Sequence, residues 1–518
     1  MIIIASAAFI EAEFSAEIGR IPSSFVPIGN TRLYEYQIKR LSEAFPSEKV
    51  YLTLPEEFEV PHYDMIRLKE LQVGLITAPS KLSLNSSILY TIKSLNIYDG
   101  PVRQLHGDTL ISKFPPDVDV IGLGLAHDGY AWEFEDHVSG KSMVWCGYFA
   151  FSNINLLEQA LIKSGDNYTR AVREYGISCK MQLILMDGWL DFGHVNTYYR
   201  SRESFTTQRS FNRLLIKNGV VRKSSSDGIK ISVEAQWYLT LPPSLRKYVP
   251  QLIQVSHDLD EQYYEIEYLP HPNLGELFVF GALPVMHWSK IIYLAEQLLE
   301  DFVSAVHISP ESMNRIRYDF SWLVTEKTRL RLGSYKKSTG RSMYEPHSIN
   351  GQTLPCLEEI VAHCAKAVGE QDEIQGVSHG DFCFSNILYD SRQDRLKLID
   401  PRGLAADSRH TIFGDVRYDM AKLAQSVVGL YDYILSGHYE LKIQTPYDFE
   451  LTIHMDQRSK TVTEKFLASN LLGRSVVETL PLVVLLFLGM LPLHADDKHR
   501  QVALYANAMR VYAIWQEF

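Results

Sequence analysis

Ser378-His-Gly-Asp-Phe-Cys-Phe-Ser-Asn-Ile-Leu-Tyr-Asp390, followed by Arg395-Leu-Lys-Leu-Ile-Asp-Pro-Arg-Gly403, decides how this chain is read. Its polar residues are spaced His379-x-Asp381-x-x-x-x-Asn386, and Asp400 stands fourteen residues after the Asn, at the end of an apolar run. Ile387–Tyr389 and Leu396–Ile399 read as the strands of a short hairpin, which would bring Asn386 and Asp400 to neighbouring strand ends. Phosphoryl transfer needs such a set. One carboxylate orients and deprotonates the attacking hydroxyl, while an amide and a second carboxylate hold the metal ions that bridge the phosphates. A hairpin with a turn Asp and a capping Asn would use the same letters without any chemistry.

Upstream, Leu214-Leu-Ile-Lys-Asn-Gly-Val-Val-Arg-Lys223 reads as two strands joined by Asn218-Gly219, a strong hairpin signal. A helical segment follows over residues 231–240, with Glu234 eleven residues after Lys223. Gln251–Val255 and Tyr263–Leu269 are further strand candidates, and from Trp288 onward the pattern is mostly helical. A small sheet with one helix, then a large helical part, is a two-lobed α+β plan.

These residues resemble the aminoglycoside phosphotransferase and choline kinase family, small-molecule relatives of protein kinases. The resemblance implies ATP and Mg²⁺ as cofactors. It makes His379-Gly-Asp381 the catalytic loop, Asp381 the base, and Asn386 and Asp400 the Mg²⁺ ligands. It implies that Lys223 pairs with Glu234 to align the ATP phosphates, that Glu267-Tyr-Leu269 is the hinge meeting adenine, and that the loop around Ser210 covers the phosphates, although GxGxxG is lacking there. Asp419, in Gly414-Asp-Val-Arg-Tyr-Asp419, would brace the catalytic loop, and His379 either joins the catalytic set or orients that loop. Arg402 departs from the family pattern and suits an acidic substrate group. The basic stretch Lys327, Arg329, Arg331, Lys336, Lys337, Arg341 reads either as a solvated loop or as a holder for an anionic substrate.

Before about residue 205 the character differs. Ile2–Ser6, Lys49–Leu54 and Val73–Thr77 read as strands, and Leu33–Phe45 has helical spacing. Strands alternating with helices predict an α/β domain with a mixed, mostly parallel sheet. The expected domains are therefore 1–205 and 206–518, the latter with a small lobe over about 206–270 and a helical lobe over about 271–518.

Within the first domain, Pro27-Ile-Gly-Asn-Thr-Arg-Leu33, His106-Gly-Asp108-Thr and Trp189-Leu-Asp191-Phe-Gly-His194 follow in an order that resembles the sugar-phosphate nucleotidyltransferases. The resemblance implies that Asp108 and Asp191 hold Mg²⁺, that Lys141 meets a substrate phosphate and that Gly147 lies under the substrate. The family's Gly-rich triphosphate loop is replaced by Ala5-Ser-Ala-Ala-Phe-Ile-Glu-Ala-Glu13, with no Gly until Gly19, and its Pro-Lys by Pro22-Ser23. A turn Asp and a helix N-cap Asp would also explain Asp108 and Asp191.

Composition sets the outer limits. Of 518 residues, 46% are hydrophobic and 22% charged, which excludes disordered, fibrous and disulfide-scaffold classes. Lys plus Arg number 51 against 62 Asp plus Glu, a net charge of −11, so neither nucleic acid nor an anionic membrane is an expected partner of the bulk surface. Five scattered cysteines without CxxC fit reduced thiols. The opening apolar run lacks a basic leader and reads as a buried strand. Leu480–Leu493 is shorter than the about 20 residues of a membrane helix and reads as a core helix. A cytoplasmic enzyme is expected. In one reading it is bifunctional. It phosphorylates a small alcohol or sugar with ATP, then couples that phosphate to an NTP, CTP among the candidates, for a surface-polysaccharide precursor. In the alternative, the kinase carries a non-catalytic nucleotidyltransferase-like binding domain. A scaffold without activity is the third reading, and the intact Lys223, Asp381, Asn386 and Asp400 argue against it.

Overall fold

Ile2, Ile3 and Ile4 are all fully buried. Successive strand side chains point to opposite faces, so the strand Ile2–Ala5 is covered on both. The computed structural model describes the chain except residues 127, 131, 136–141, 204–211, 226–227 and 257–261 and the side chains of Asn212 and Arg213. It divides into two compact units, Met1–Phe205 with Phe280–Ala282, and Thr206–Val279 with Leu283–Phe518.

The first unit is built on one sheet. Its strands run in the order Gln182–Leu185, Val120–Leu125, Met143–Phe151, Val102–His106, Ile2–Ala5, Val50–Pro55, Gly74–Ala78, with the short Phe134–Glu135 also paired to Met143–Phe151. Met143–Phe151 is antiparallel to its neighbours and the other six are mutually parallel where they pair. The sheet is therefore mixed and mostly parallel. Helices Leu84–Leu95, Ile154–Ser164 and Tyr168–Cys179 bring Ile88, Ile92, Leu157, Leu161 and Val172 onto one face. After Val50–Pro55 and Gly74–Ala78 are laid on one side of Ile2–Ala5, the chain returns to the other side as Val102–His106. That reversal opens a crevice beyond the strands' carboxyl ends, where open α/β sheets bind ligands.

The second unit is α+β and two-lobed. Asn212–Lys217, Val220–Ser225, Tyr263–Glu267 and Leu252–Val255 form an antiparallel sheet, with helix Gly228–Thr240 packed on it. Asn218 and Gly219 both have positive φ, at 53° and 76°, the pairing a two-residue hairpin demands. The larger lobe is not helical throughout. Gln352–Cys356, Pro346–Ile349, Asp448–Ile453 and Tyr439–Thr445 form a second four-stranded sheet. The run Val476–His494 has the apolar length of a membrane span, yet 72% of it lies buried inside this unit. Every residue of its helix Leu480–Met490 except Leu486 is buried, against Glu326–Thr339, Leu357–Gly369, Arg417–Val427 and Lys498–Trp515.

Candidate functional site

The second unit's site begins with a loop fixed from behind. Asp419, fully buried near the start of helix Arg417–Val427, accepts the backbone N–H of His379 (2.8 Å), that of Gly380 (2.8 Å) and the Ser378 hydroxyl (2.9 Å). Burial pushes its carboxyl up to about 6 despite these donors. Gly380 has φ 74°, and a Cβ there would stand 2.8 Å from Arg402 Cβ, so only glycine fits the turn. His379 is completely buried; its Nε2 lies 3.0 Å from the Ile399 carbonyl. Burial lowers its pKa to about 4, leaving a neutral imidazole that ties the loop to the strand before Asp400. His379 also lines a cavity with Arg402 and Tyr418.

Asn386 donates from Nδ2 to the Asp381 carbonyl (2.9 Å) and to Asp381 Oδ2 (3.0 Å). Lys422 lies 2.8 Å from Asp381 Oδ1. Burial would raise Asp381, but the Lys422 ammonium outweighs it and holds the carboxyl down at about 2. Asp381 is therefore ionised at neutral pH.

From the small lobe, Lys223 Nζ reaches Glu234 Oε2 at 2.8 Å and Asp400 Oδ1 at 2.9 Å. Lys223 and Glu234 are each only 2% exposed. Burial opposes the ammonium, yet the two carboxylates prevail and raise the Lys223 pKa. Asp400 has φ 60°. A non-glycine residue in this region costs about 1 kcal/mol or more, and such costs gather at functional sites. The Ile399 N–H bonds the Asn386 carbonyl (3.0 Å), which keeps the two strand ends side by side.

The donor set suits Mg²⁺. Lys230 Nζ also lies 3.8 Å from Glu234 Oε1, so Glu234 has two ammoniums beside it, and Asp400 brings a carboxylate to the end of its strand beside Asn386. The Asn386 amide nitrogen is committed to Asp381, so its oxygen is the atom left to a cation. Among the described residues no group of three His, Cys, Asp or Glu converges as a metal cage.

Other expected residues fall as follows. Glu267 ends its strand, exposed, and the Leu269 carbonyl accepts from the His271 N–H (2.9 Å). Ser210 and Lys141 lie outside the described residues. The basic stretch is no solvated loop: Glu326–Thr339 is a helix. Its Lys327 and Arg331 line a cavity of about 80 Å³ with Tyr418 and Lys422. Half-buried Arg402 places its guanidinium 5.9 Å from the Tyr418 ring. Lys422 escaped the sequence reading, although it follows Asp419 by three residues and so shares its helix face.

In the first unit, Asp108 follows the strand Val102–His106 and Asp191 pairs across from Thr109. Asp191 is a strand residue, not a helix cap. The two carboxylates flank one backbone point: a Cβ on Gly193 would lie 2.7 Å from Asp108 Oδ2 and 3.4 Å from Asp191 Oδ1. Burial, then the Asp108 charge, pushes Asp191 up to about 7. Gly147 has φ 86° and a Cβ there would meet His106 and Thr109 at under 3 Å. The pairing register shifts around it, between Trp145 and Phe149. Asp108, Asp191, Gly147, Trp132, Trp145 and Trp189 share a cavity of about 670 Å³. Among the described residues, Asp191 Oδ2, His106 Nε2 and Trp189 Nε1 are buried there with no hydrogen-bond partner. Such atoms await a ligand, ion or water, and the orphaned carboxylate oxygen beside Asp108 fits a divalent cation.

The loop after Ile2–Ala5 differs from a phosphate cradle. Ser6 Oγ accepts from the Ser24 N–H (3.0 Å) and the Ser24 hydroxyl (2.8 Å), and the Ser6 N–H donates to Thr53 Oγ1 (2.9 Å). Glu11 Oε2 lies 3.3 Å from His194 Nδ1 at the cavity rim.

No family model and no curated protein matches the chain. Solved structures similar to it include the nucleoside-diphosphate-sugar pyrophosphorylase from Vibrio cholerae RC9, at 13% identity over 39% of this chain and 99% of that one, TM-score 0.33. The inositol-1-phosphate CTP transferase from T. maritima is similar at 13% identity over 40% and 96%, TM-score 0.30. A thermostable mutant of aminoglycoside phosphotransferase APH(4)-Ia is similar at 13% identity over 60% and 93%, TM-score 0.38; a variant of that enzyme has been solved as a ternary complex with AMP-PNP and hygromycin B. The chain is thus similar to nucleotidyltransferases in one part and to an aminoglycoside phosphotransferase in another.

Proposed function

We propose that the second unit, residues 206–518, is an ATP-dependent kinase for the hydroxyl of a small alcohol or sugar. One observation carries the reading: Lys223, Glu234, Asp400, Asn386 and Asp381 form a connected polar set across the two lobes. Lys223, held by Glu234, positions the ATP phosphates. Asp400 and the Asn386 oxygen hold Mg²⁺, which when bound neutralises phosphate charge. Asp381 accepts the acceptor's hydroxyl hydrogen bond and takes its proton as the oxygen bonds the γ-phosphorus and ADP departs. His379 and Asp419 position the loop, and Glu267–Leu269 and the loop at Ser210 flank the nucleotide. Five free thiols and the need for ATP suit the cytoplasm.

The first unit, residues 1–205, would receive the phosphorylated product. In the bifunctional reading Asp108 and Asp191 hold Mg²⁺, and Lys141 and Gly147 seat the product while its phosphate attacks an NTP such as CTP, releasing pyrophosphate, towards a surface-polysaccharide precursor. A second reading, binding without transfer, is favoured by the hydroxyl-bonded loop at Ser6, whose Ser6 and Ser24 amides are already bonded.

The test is an ATP-consumption screen with Mg²⁺ over sugars, alditols, hydroxy acids, choline and an aminoglycoside, with Asp381→Asn as control. Turnover lost in the variant supports the kinase. Turnover that survives removes Asp381 as base. Pyrophosphate release from the kinase product with each NTP then separates the two readings of the first unit.

A further inference from the structure

Burying positive charge without a counterion is costly, and sites that do so are ligand-site candidates. The cavity beside Asp381 is such a place. Lys327 and Arg331 enter it from helix Glu326–Thr339, and Tyr418 and Lys422 from helix Arg417–Val427. Leu482, Leu485, Leu486, Gly489 and Met490 close it with apolar surface. Among the described residues, no Asp or Glu lines it. Arg402 flanks the same Tyr418 ring. The one carboxylate on the wall of Arg402's own cavity that is not ion-paired, Asp319, accepts the Ala406 N–H (3.0 Å).

The partners of these cations are few. Lys422 is bound to Asp381, and Arg331 donates to the Gly489 carbonyl (2.8 Å). Lys327 meets only the Trp322 ring, 5.8 Å away, among the described residues. A cavity of this size has room for several waters or one compact oxyanion, and Lys422 touches both it and the catalytic carboxylate.

We propose that the acceptor carries an anionic head, a phosphate or a carboxylate, that seats on Lys327 and Arg331 while its hydroxyl faces Asp381. The inference rests on Asp381 as the carboxylate that receives that hydroxyl. The acceptor oxygen bonds the γ-phosphorus, the bond from that phosphorus to the bridging oxygen breaks, ADP leaves, the proton passes to Asp381, and the head is unchanged. The product therefore carries two anionic groups. A cationic acceptor would face Lys327, Arg331 and Lys422 with its own charge.

The electrostatics give a second readout. Burial, then the charges of Arg402, Arg331 and Lys422, lower the Lys327 pKa to about 6. These cations and Tyr418 are the titratable or charged groups that face it; the helix opposite is apolar. Lys327 is mostly neutral above pH 7, and an anion favours its ammonium. Binding then takes up a proton, and affinity falls as pH rises from about 6 to 8.

The experiment uses the full chain saturated with Mg²⁺ and AMP-PNP, so that the nucleotide site is filled. Inorganic phosphate, and separately acetate, is titrated in by calorimetry at pH 6 and pH 8. We expect saturable binding, tighter at pH 6, that weakens about tenfold or more in Lys327→Met and in Arg331→Met. Unfolding of both variants is measured beside the parent, and Lys327→Met, which breaks no hydrogen bond among the described residues, should unfold no earlier. Preference for phosphate or acetate assigns the head. Absence of saturable binding, or binding unchanged in both variants, overturns the proposal. So does Asp381-dependent ATP turnover that is faster on glucose or glucosamine than on glucose 6-phosphate and glucuronate. Anion binding as expected, in a chain whose ATP turnover survives Asp381→Asn, keeps the anion site and removes Asp381 as the base on which the proposal was built.

Discussion

The loop Ser378–Asn386 of the second unit is braced by one buried carboxylate, and the loop after Ile2–Ala5 of the first is braced by hydroxyls. Asp419 takes the amides and hydroxyl at Ser378–Gly380, so Asp381 is left to face Asn386 and Lys422. In the first unit Ser6 and Ser24 bond each other, and the Ser6 amide goes to Thr53. Both loops are hydrogen-bonded in place. They differ in where the bonding capacity ends up: one leaves a charged oxygen beside Asn386 and Lys422, the other spends donors that a triphosphate would need. A well-bonded loop therefore says little about catalysis until the direction of each hydrogen bond is known.

Four substitutions would sharpen or break this contrast. Asp381→Asn should have the largest effect. It keeps the shape of the loop and removes the base, so ATP turnover on an acceptor should fall about 1,000-fold, read by coupled ADP release. A fall under tenfold would erase the distinction between the loops. Lys223→Met comes next. It strands Glu234 and Asp400 without their ammonium, so we expect about 100-fold loss of kcat/KM for ATP and about 3 kcal/mol of stability by denaturant unfolding.

Lys422→Met should change the pH profile more than the maximal rate. With the ammonium present the Asp381 pKa lies near 2, below its ordinary value, so the base is ionised throughout the neutral range. Without it, burial is opposed mainly by the Asn386 hydrogen bond, and the pKa rises. The base then takes up a proton as pH falls, and the acid limb of kcat/KM moves above pH 4; an unmoved limb would show that Lys422 does not set this group. Ser6→Ala is the smallest. It removes the oxygen that accepts from Ser24, for about 1 kcal/mol of stability, and should leave ATP turnover untouched.

What the sequence disclosed follows from distance along the chain. Asp381, Asn386 and Asp400 sit within twenty residues, on a hairpin whose alternating strands are visible. The Asn218-Gly219 turn declares its own φ requirement. Lys422 was hidden because it meets Asp381 from 41 residues away. The helical nature of Glu326–Thr339 was masked by its charges, since one polar face and one cavity face give no clean apolar stripe. The sheet Tyr439–Ile453 was lost amid helical surroundings, although Tyr439-Glu-Leu-Lys-Ile-Gln alternates. In the first unit the letters at Asp108 and Asp191 suggested convergence. The self-bonded serine loop left no pattern, because hydroxyls this common bond differently in every context.

The helix Leu480–Met490 bears on how this protein is made. Almost all of its surface is apolar, and one of the elements that covers it, Lys498–Trp515, follows it in the chain. Until that later helix has emerged from the ribosome, the nascent second unit carries a partly uncovered greasy rod. Its folding therefore waits on residues synthesised after it, and chains stalled between the two helices are the ones a chaperone would have to hold.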